Sequence, residues 1–252
     1  MELPVAYTLI KYETVDNIRE VAIQHARDGA VEGTLIWALH QTNATGHLGQ
    51  TWICNDEDLH CTIVLRPEFP LEKHPELLLV SAVSMAHALA THLSAMTALN
   101  FVWPNDLAIA DHKIASLWID CDTETKTPWL NITISVNLMN APADISIGAM
   151  SIREAEGQTE LSVTTLLETY ARQFIKQINN WSERGMEYIV KQWKIREDGN
   201  GKERTVHLVN EELTGKQQNI TLNGEIELEL YDGSMKLIPL GKYINDVSKK
   251  PI

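Results

Sequence analysis

The stretch Phe101-Val-Trp-Pro-Asn-Asp-Leu107, followed by Ala-Ile-Ala-Asp-His-Lys113-Ile-Ala-Ser-Leu117, organises this chain. Pro104 fixes its own φ angle and disfavours helix at Trp103, so a first strand must end there. Asn105 and Asp106 then favour a turn. The apolar residues on either side predict a hairpin whose second strand begins at Lys113. An amide, a carboxylate and an ammonium group are therefore expected at one corner.

Two interpretations of this corner are open. In the first, it is a hairpin with an Asx turn, and Lys113 is solvated. In the second, Asn105, Asp106 and Lys113 face a ligand. Turn chemistry alone favours neither, because the same residue types occur in solvated turns and in binding loops.

The composition restricts the class of protein. The chain has 252 residues, 44% of them hydrophobic, which is typical of a globular protein with one large domain and a small one. It has no long apolar run, and Met1-Glu-Leu-Pro lacks the basic start of a secretory signal, so we expect a cytoplasmic protein without a membrane span. The net charge of −13 disfavours a nucleic-acid partner. Cys54, Cys61 and Cys121 show no Cys-x-x-Cys spacing and predict neither a disulfide framework nor a zinc site.

The N-terminal segment predicts a helix and then a buried strand. Residues Thr14 to Ala26 carry apolar side chains at helical spacing, with Thr14 as the expected N-cap and Gly29 as the terminator. Residues Gly33 to Leu39 form a near-continuous apolar run, which indicates a strand buried on both faces. This strand leads directly into a polar loop.

The polar loop runs from Gln41 to Trp52. Gly46 and Gly49 lie three residues apart within it. Because glycine allows the backbone to approach other atoms closely, the loop is suited to covering a ligand. We expect the chain to resume as a strand after it, from Leu59 to Arg66.

The rest of the chain predicts an α+β fold in two parts. A mixed, mainly antiparallel sheet with helices packed on one side is expected over residues 1–196, from a buried helix at 75–93, a strand at 129–138 and helices at 162–181 and 186–193. A charged, glycine-rich linker follows. Short strands joined by Asn223-Gly224 and Asp232-Gly233 turns then predict a small SH3-like β-barrel over residues 204–246.

Several segments match one family pattern in order. They are Glu13-Thr-Val-Asp16 for Asp-Ser-Thr-Asn, Gly29-Ala-Val-Glu-Gly-Thr34 for Gly-x-x-Glu-Gly-Thr, the Gln41 to Trp52 loop, Val102-Trp-Pro-Asn-Asp-Leu107 for Lys-Trp-Pro-Asn-Asp-Leu, Lys113-Ile-Ala-Ser116 for Lys-x-Ala-Gly, Thr133-Ile-Ser-Val-Asn137 for Gly-Ile-Gly-x-Asn, and Ala149-Met-Ser-Ile-Arg-Glu-Ala-Glu-Gly157 for Ala-Thr-Ser-Leu-Arg-Glu-x-x-Gly. In this order the chain resembles the catalytic and C-terminal parts of biotin protein ligases, in the biotin/lipoate A/B protein ligase superfamily. The corner with its following lysine is the most specific of these matches.

The resemblance implies ATP-dependent activation of biotin or a lipoate-like acid, followed by transfer to a lysine of a biotinyl or lipoyl carrier domain. Magnesium would accompany ATP, because charge builds up at the phosphates. Lys113 would be catalytic, and Asn105 and Asp106 would bind the nucleotide. The acid would contact the residues that match the remaining motifs, namely Thr14, Gln41, Gly46, Gly49, Trp52 and Asn137. Any metal ligands and the oligomeric state, a homodimer included, stay open. No helix-turn-helix pattern precedes Tyr12, so a DNA-binding repressor role is not expected.

Several positions differ from the family pattern. The loop arginines are replaced by Thr45, His47, Leu48 and Gln50, the lysine before Trp103 by Val102, and three glycines by Ser116, Thr133 and Ser135. The loop therefore contains no cation that would tie it to a phosphate, so we expect it to be held loosely. The added side chains predict a narrower pocket.

Three hypotheses follow. The protein is a divergent biotin- or lipoate-type ligase acting on biotin or a related small carboxylic acid, a non-catalytic binding protein for a small acid or nucleotide, or a structural protein with a vestigial pocket. Lys113 together with Asn105 and Asp106 favours the first hypothesis. The arginine-free loop favours the second.

Overall fold

The structure is a computed structural model that describes residues 1–46, 49, 51–142, 148–157, 160–208 and 211–249. Three of the loop positions considered above, His47, Leu48 and Gln50, lie outside these described residues.

The main sheet is mixed and mostly antiparallel, as predicted. Its strands in chain order are β1 (Thr8–Val15), β2 (Thr34–Gln41), β3 (Leu59–Leu65), β4 (Leu99–Val102), β5 (Asp106–Ile109), β6 (His112–Asp122) and β7 (Trp129–Val136). Their order across the sheet is β1-β2-β3-β7-β6-β5-β4. Within this order β1 and β2 are parallel, and the other neighbours are antiparallel. Every residue of β7 is buried, so the central strands are covered on both faces.

The helices are α1 (Ile18–Arg27), α2 (Glu76–Ala90), α3 (Ile152–Glu156), α4 (Val163–Arg184) and α5 (Met186–Lys194). The prediction that helices cover one side of the sheet is wrong, because α1 packs on the opposite face. Neighbouring side chains of a strand point to opposite faces. In β2, Leu35 belongs to the cluster that contains α2, whereas Ile36 packs with Ala22 of α1. Among the described residues, each helix is too short or too polar to span a lipid bilayer.

The predicted N-cap of α1 is also wrong. Asn17 caps the helix, and its side-chain oxygen accepts a hydrogen bond from the Arg19 N–H at 3.0 Å. Thr14 lies in β1 and is exposed, because β1 continues in register with β2 as far as Val15. A local pattern of apolar residues did not reveal that the parallel pairing extends this far. Gly29 follows the helix end with a positive φ of 91°, as expected of a terminator.

The C-terminal segment forms an antiparallel sheet of four strands. These are β8 (Glu203–His207), β9 (Glu212–Ile220), β10 (Ile226–Leu230) and β11 (Met235–Ile238), in the order β11-β10-β9-β8. The two glycine turns join β9 to β10 and β10 to β11, as predicted. Closure into an SH3-like barrel and the domain boundaries at 196 and 204 stay predictions. After a 3₁₀ turn at Leu240–Tyr243, β12 (Asn245–Asp246) pairs with β6 in parallel.

The β9–β10 turn is packed tightly against the Trp103–Asp106 corner of the main sheet. The Trp103 Nε1–H donates to the Gly224 carbonyl oxygen at 2.8 Å. Gly224 has a φ of 81°, and a Cβ placed on it would lie 2.8 Å from Met186 and 2.9 Å from Leu240. The turn therefore requires glycine for its backbone conformation and for the lack of a side chain.

We expect G224A to destabilise the protein by about 2 to 4 kcal/mol, because overpacking and a strained positive φ add together. Urea unfolding measures this. Gly233 supplies the matched control, since its φ is 82° and nothing lies within 4 Å of its added Cβ. G233A should therefore show only the backbone cost, about 1 kcal/mol. Equal losses in the two variants would show that the turn does not pack as described.

Candidate functional site

The corner brings together the three side chains that the sequence singled out. Lys113 Nζ lies 2.5 Å from Asp106 Oδ2, with 28% of the lysine side chain and 14% of the aspartate side chain exposed. The Ser116 hydroxyl donates to Asp106 Oδ1. Asn105 donates through Nδ2 to the Leu117 carbonyl oxygen at 3.0 Å. The ammonium is thus held in an ion pair between β6 and β5 and is not a freely solvated lysine.

A neighbouring segment fixes the backbone of Lys113. The Lys113 N–H donates to the Gly148 carbonyl oxygen at 3.1 Å, and the Met150 N–H donates to the Lys113 carbonyl oxygen at 3.0 Å. Asn137 lies one strand away, since its N–H donates to the Ile114 carbonyl oxygen at 2.8 Å. Its Oδ1 is buried and has no partner among the described residues. The corner therefore has an unused amide acceptor beside it.

The polar loop closes over the α1 face of the sheet. Gln41 accepts through Oε1 from the Ile18 N–H at 2.8 Å, so this side chain is engaged by the helix start. The Trp52 N–H donates to the Ala44 carbonyl oxygen at 2.9 Å. The Trp52 ring meets the Trp118 ring edge to face, with centroids 5.3 Å apart. The described part of the loop therefore packs on the α1 face of the sheet, where Trp52 lies against Trp118 of β6.

The remaining predicted site residues fall in two places. Gly46 is buried within the loop, and Gly49 is exposed with a φ of 77°. Thr14 does not join them, because it lies exposed on β1. Asn17 occupies the position at the start of α1, where its Nδ2 donates to the Thr45 hydroxyl oxygen at 2.7 Å.

Arg19 holds the loop in place, and sequence reasoning missed it. Its guanidinium binds Asp120 through Nε and Nη2, both at 2.8 Å. Its Nη1 donates to the carbonyl oxygens of Gly46 at 2.8 Å and Thr45 at 3.3 Å. The expectation that the loop has no cation of its own to tie to a phosphate stays a prediction, but Arg19 of α1 holds the first half of the loop through its backbone. A lone carboxylate at Asp120 within the apolar run of β6 was the signal that such a partner exists.

The C-terminal segment completes this arrangement. Asn245 of β12 donates to Asp120 Oδ1 at 2.5 Å. A cavity of about 330 Å³ opens between α1, the loop and this segment, with Arg19, Trp118 and Tyr243 among its lining residues. Burial, and then the charge of Asp106, raises the pKa of Tyr243. The C-terminal segment therefore reaches both the corner and the Arg19–Asp120 ion pair, which we call the loop clamp.

The floor beneath the loop consists of hydroxyl and imidazole groups. Thr62 and Thr133 share a hydrogen bond of 2.8 Å, and His60 Nδ1 lies 3.0 Å from the Ser135 hydroxyl oxygen. Burial lowers the pKa of His60 to about 4, so the imidazole is neutral at physiological pH. The two hydroxyl residues of β7 stand where the family pattern has glycine. Within the described part of the chain, the side chains between this floor and Trp52 leave no space that a water molecule could occupy.

A larger cavity of about 680 Å³ lies near the end of β7, and several of its lining side chains are acidic. Asp58 in its wall is 1% exposed and accepts hydrogen bonds through Oδ1 from the Leu138 N–H at 2.7 Å and the Met139 N–H at 3.2 Å. Burial raises the pKa of this carboxyl from 3.8 to about 6 despite those hydrogen bonds.

Replacing Asp58 with asparagine should stabilise the protein at neutral pH. Because the folded-state pKa lies above the unfolded value, the folded protein binds the proton more tightly, and this contribution to stability is lost as the pH rises from 3.8 towards 6. Two pKa units correspond to roughly 3 kcal/mol at most. In urea titrations D58N should gain about 1 to 3 kcal/mol above about pH 7 and match the parent near about pH 4. A difference independent of pH would refute this account of Asp58.

Comparison with known proteins assigns the family. The model of the biotin/lipoate A/B protein ligase family matches residues 3–195. The chain belongs to this family. It is 25% identical over 235 residues to the bifunctional ligase/repressor BirA of Bacillus spizizenii and to that of Bacillus subtilis, covering 91% of this chain and 71% of each relative.

Solved structures share the fold at lower identity. A biotin protein ligase-like protein of unknown function from Silicibacter sp. is 22% identical with a TM-score of 0.77, covering 96% of this chain and 98% of that one. The biotin protein ligase of Aquifex aeolicus, solved in complex with biotin and ATP, is 21% identical with a TM-score of 0.75, covering 93% and 97%. These likenesses show the ligase fold.

Magnesium, which the sequence resemblance implies as the companion of ATP, would find one carboxylate at the corner. The described residues contain no group of three or more His, Cys, Asp or Glu side chains arranged to hold a metal ion. Asp106 is the carboxylate at the corner, and Lys113 and Ser116 already contact it. These residues fit a magnesium ion that arrives with the nucleotide, because Mg²⁺ commonly binds through one carboxylate and the substrate phosphates.

Proposed function

We propose that this protein activates a small carboxylic acid with ATP and transfers the acyl group to a lysine of a carrier domain. The observation that carries the proposal is the Lys113–Asp106 ion pair at the Trp-Pro-Asn-Asp corner, in a chain of the biotin/lipoate ligase family. The family's ligands, biotin or a lipoate-like acid together with ATP and Mg²⁺, are the first candidates. The relatives solved with biotin and ATP support this choice.

The chemistry needs an ammonium group at this place. In the first step an oxygen of the acid attacks the α-phosphorus of ATP, pyrophosphate leaves, and an acyl-adenylate forms. Lys113 offsets the charge that builds up on the phosphoryl oxygens. In the second step the carrier amine attacks the acyl carbon, and AMP leaves with the bonding electron pair. Asp106 positions the ammonium between turnovers, and Asn105 and Asn137 bind the nucleotide and the acid.

A second candidate function has its own supporting observation. The loop lacks the arginines of the family pattern, which suits a non-catalytic protein that binds a small acid or a nucleotide. Such a protein would keep the ion pair as a binding contact only.

Mass spectrometry distinguishes the two functions. The protein is incubated with ATP, Mg²⁺ and single acids, including biotin, lipoate, octanoate and shorter acids, and the products are searched for acyl-adenylate. Ligase chemistry requires an adenylate that depends on one of the acids. Binding by calorimetry without any adenylate would support the second function and refute the first.

A further inference from the structure

The cavity between α1, the loop and the C-terminal segment borders the Lys113 corner. The Ser116 hydroxyl donates to Asp106, which is the partner of Lys113. Trp118, two residues further along β6, lines the cavity. Side chains two positions apart on a strand share a face of the sheet, and their Cα atoms lie about 7 Å apart. The corner and the cavity are therefore neighbouring parts of one surface.

Tyr243 makes a second connection between the corner and the cavity. It lines the cavity, and its ring meets the Trp103 ring edge to face with centroids 5.0 Å apart. Trp103 begins the turn that carries Asp106. The charge of Asp106 adds to the effect of burial in raising the pKa of Tyr243, as expected of groups that are close in space. A ligand held at Lys113 can therefore extend into the cavity past Tyr243.

Among the described residues of the cavity wall, Lys242 is the cation without an ion pair. It lies in the 3₁₀ turn Leu240–Tyr243 and is exposed. The other cation of the wall, Arg19, is bound by Asp120 and by carbonyl oxygens of the loop. Glu20 is the carboxylate of the wall that has no basic partner within the described part of the chain. An anion in this cavity would therefore have Lys242 as its counter-charge.

The C-terminal segment holds Lys242 in this position. The Lys242 N–H donates to the Pro239 carbonyl oxygen at 3.1 Å. Beyond the turn, Asn245 donates to Asp120 Oδ1, and β12 pairs with β6. The loop on the other side of the cavity has no arginine at the four positions where the family pattern has one. The C-terminal segment thus offers a cation where the loop offers none.

We propose that Lys242 binds the β- and γ-phosphates of ATP in this cavity, in place of the arginines that the loop lacks. The inference rests on the proposed function, since it concerns the nucleotide on which Lys113 would act. The α-phosphate lies at Lys113, where the acid attacks, and the outer phosphates extend past Tyr243 to the Lys242 ammonium. A lysine ammonium binds phosphate oxygens as a point charge. The volume of about 330 Å³ is within the range of small-ligand sites.

Calorimetry with Mg²⁺ and without any acid tests the site by comparing ATP with AMP, which lacks the two phosphates assigned to Lys242. K242A should weaken ATP binding by about tenfold or more and AMP binding by about twofold or less, because a charged contact to phosphate is lost only with ATP. K242R keeps the charge and should bind ATP within about threefold of the parent. An equal loss for both nucleotides, or no binding of ATP by the parent, would overturn the proposal.

Two variants control for general effects of charge. Lys236 of β11 is exposed and lies outside the cavity wall, so K236A should leave ATP binding unchanged. E20Q removes a negative charge from the wall and should tighten ATP binding by about twofold or more, with a smaller effect on AMP. A loss of ATP affinity in K242A no larger than that in K236A would contradict the assignment, and so would unchanged or weaker ATP binding in E20Q.

Acid-stimulated ATP–pyrophosphate exchange separates this inference from the proposed function. In K242A the KM for ATP should rise by about tenfold or more, because a binding contact is lost. Exchange in K242A with the parental KM for ATP would overturn the inference and leave the ligase function standing. ATP binding that depends on Lys242, without exchange in the presence of any acid, would support the phosphate site and refute the ligase function.

Discussion

R19A should lose about 3 to 5 kcal/mol of unfolding free energy. The substitution removes the charged partner of Asp120, whose side chain is 1% exposed, and leaves a buried carboxylate without its neutralising charge. It also frees the carbonyl oxygens of Thr45 and Gly46. The stability loss therefore coincides with release of the loop.

Urea unfolding measures the loss, and R172A is the control. Arg172 pairs with Glu168 at 3.7 Å and is 50% exposed, so its removal should cost about 1 kcal/mol or less. The double variant R19A/D120N should recover at least half of the loss, because the buried charge is gone. Hydrogen exchange at the Trp52 amide, bonded to the Ala44 carbonyl oxygen, should accelerate in R19A. A cost no larger than that of R172A, with unchanged exchange, would show that Arg19 does not clamp the loop.

The corner could be predicted from sequence because its determinants are local. Pro104 ends one strand, Asn105 and Asp106 make the turn, and the apolar run after Lys113 defines the next strand. The glycine turns of the C-terminal sheet were predictable for the same reason. Such signals depend on a few consecutive residues, so tertiary packing does not override them.

The loop clamp could not be predicted, because it depends on distant residues. Arg19 and Asp120 lie 101 positions apart, and they meet only because α1 crosses the face of the sheet opposite α2. Nothing in the spacing of apolar residues along α1 indicates which face of the sheet the helix covers. The start of α1 was misplaced for a related reason, since β1 pairing through Val15 overrides the helical pattern.

The pocket beneath the loop could be predicted from sequence only in part. Thr133 and Ser135 in place of glycine predict a narrower pocket, and this stays a prediction; the structure shows that the described side chains around them leave no room for a water molecule. Their partners, Thr62 and His60, follow from the β3–β7 register, which places these residues directly opposite. A register of this kind is set by the whole sheet and is not visible in either strand alone.

K113A should lower acid-dependent adenylation by about 10² to 10³, comparable with the loss of one donor to a developing oxyanion. The fold should hardly change, because the pair with Asp106 is partly exposed and Ser116 still donates to the carboxylate, so the stability cost is about 1 kcal/mol or less. K113R keeps the charge but not the compact ammonium, so it should recover only part of the activity. Lys191, which is 65% exposed and pairs with Glu187, supplies K191A as the control with parental activity.

Acid-stimulated ATP–pyrophosphate exchange, compared between the parent protein and K113A, tests the central claim most directly. The account predicts exchange in the parent that requires a small carboxylic acid, and a loss of about 10² or more in K113A at an unchanged melting temperature. Equal exchange in the two proteins, or no exchange in the parent with any acid of the panel, would contradict it.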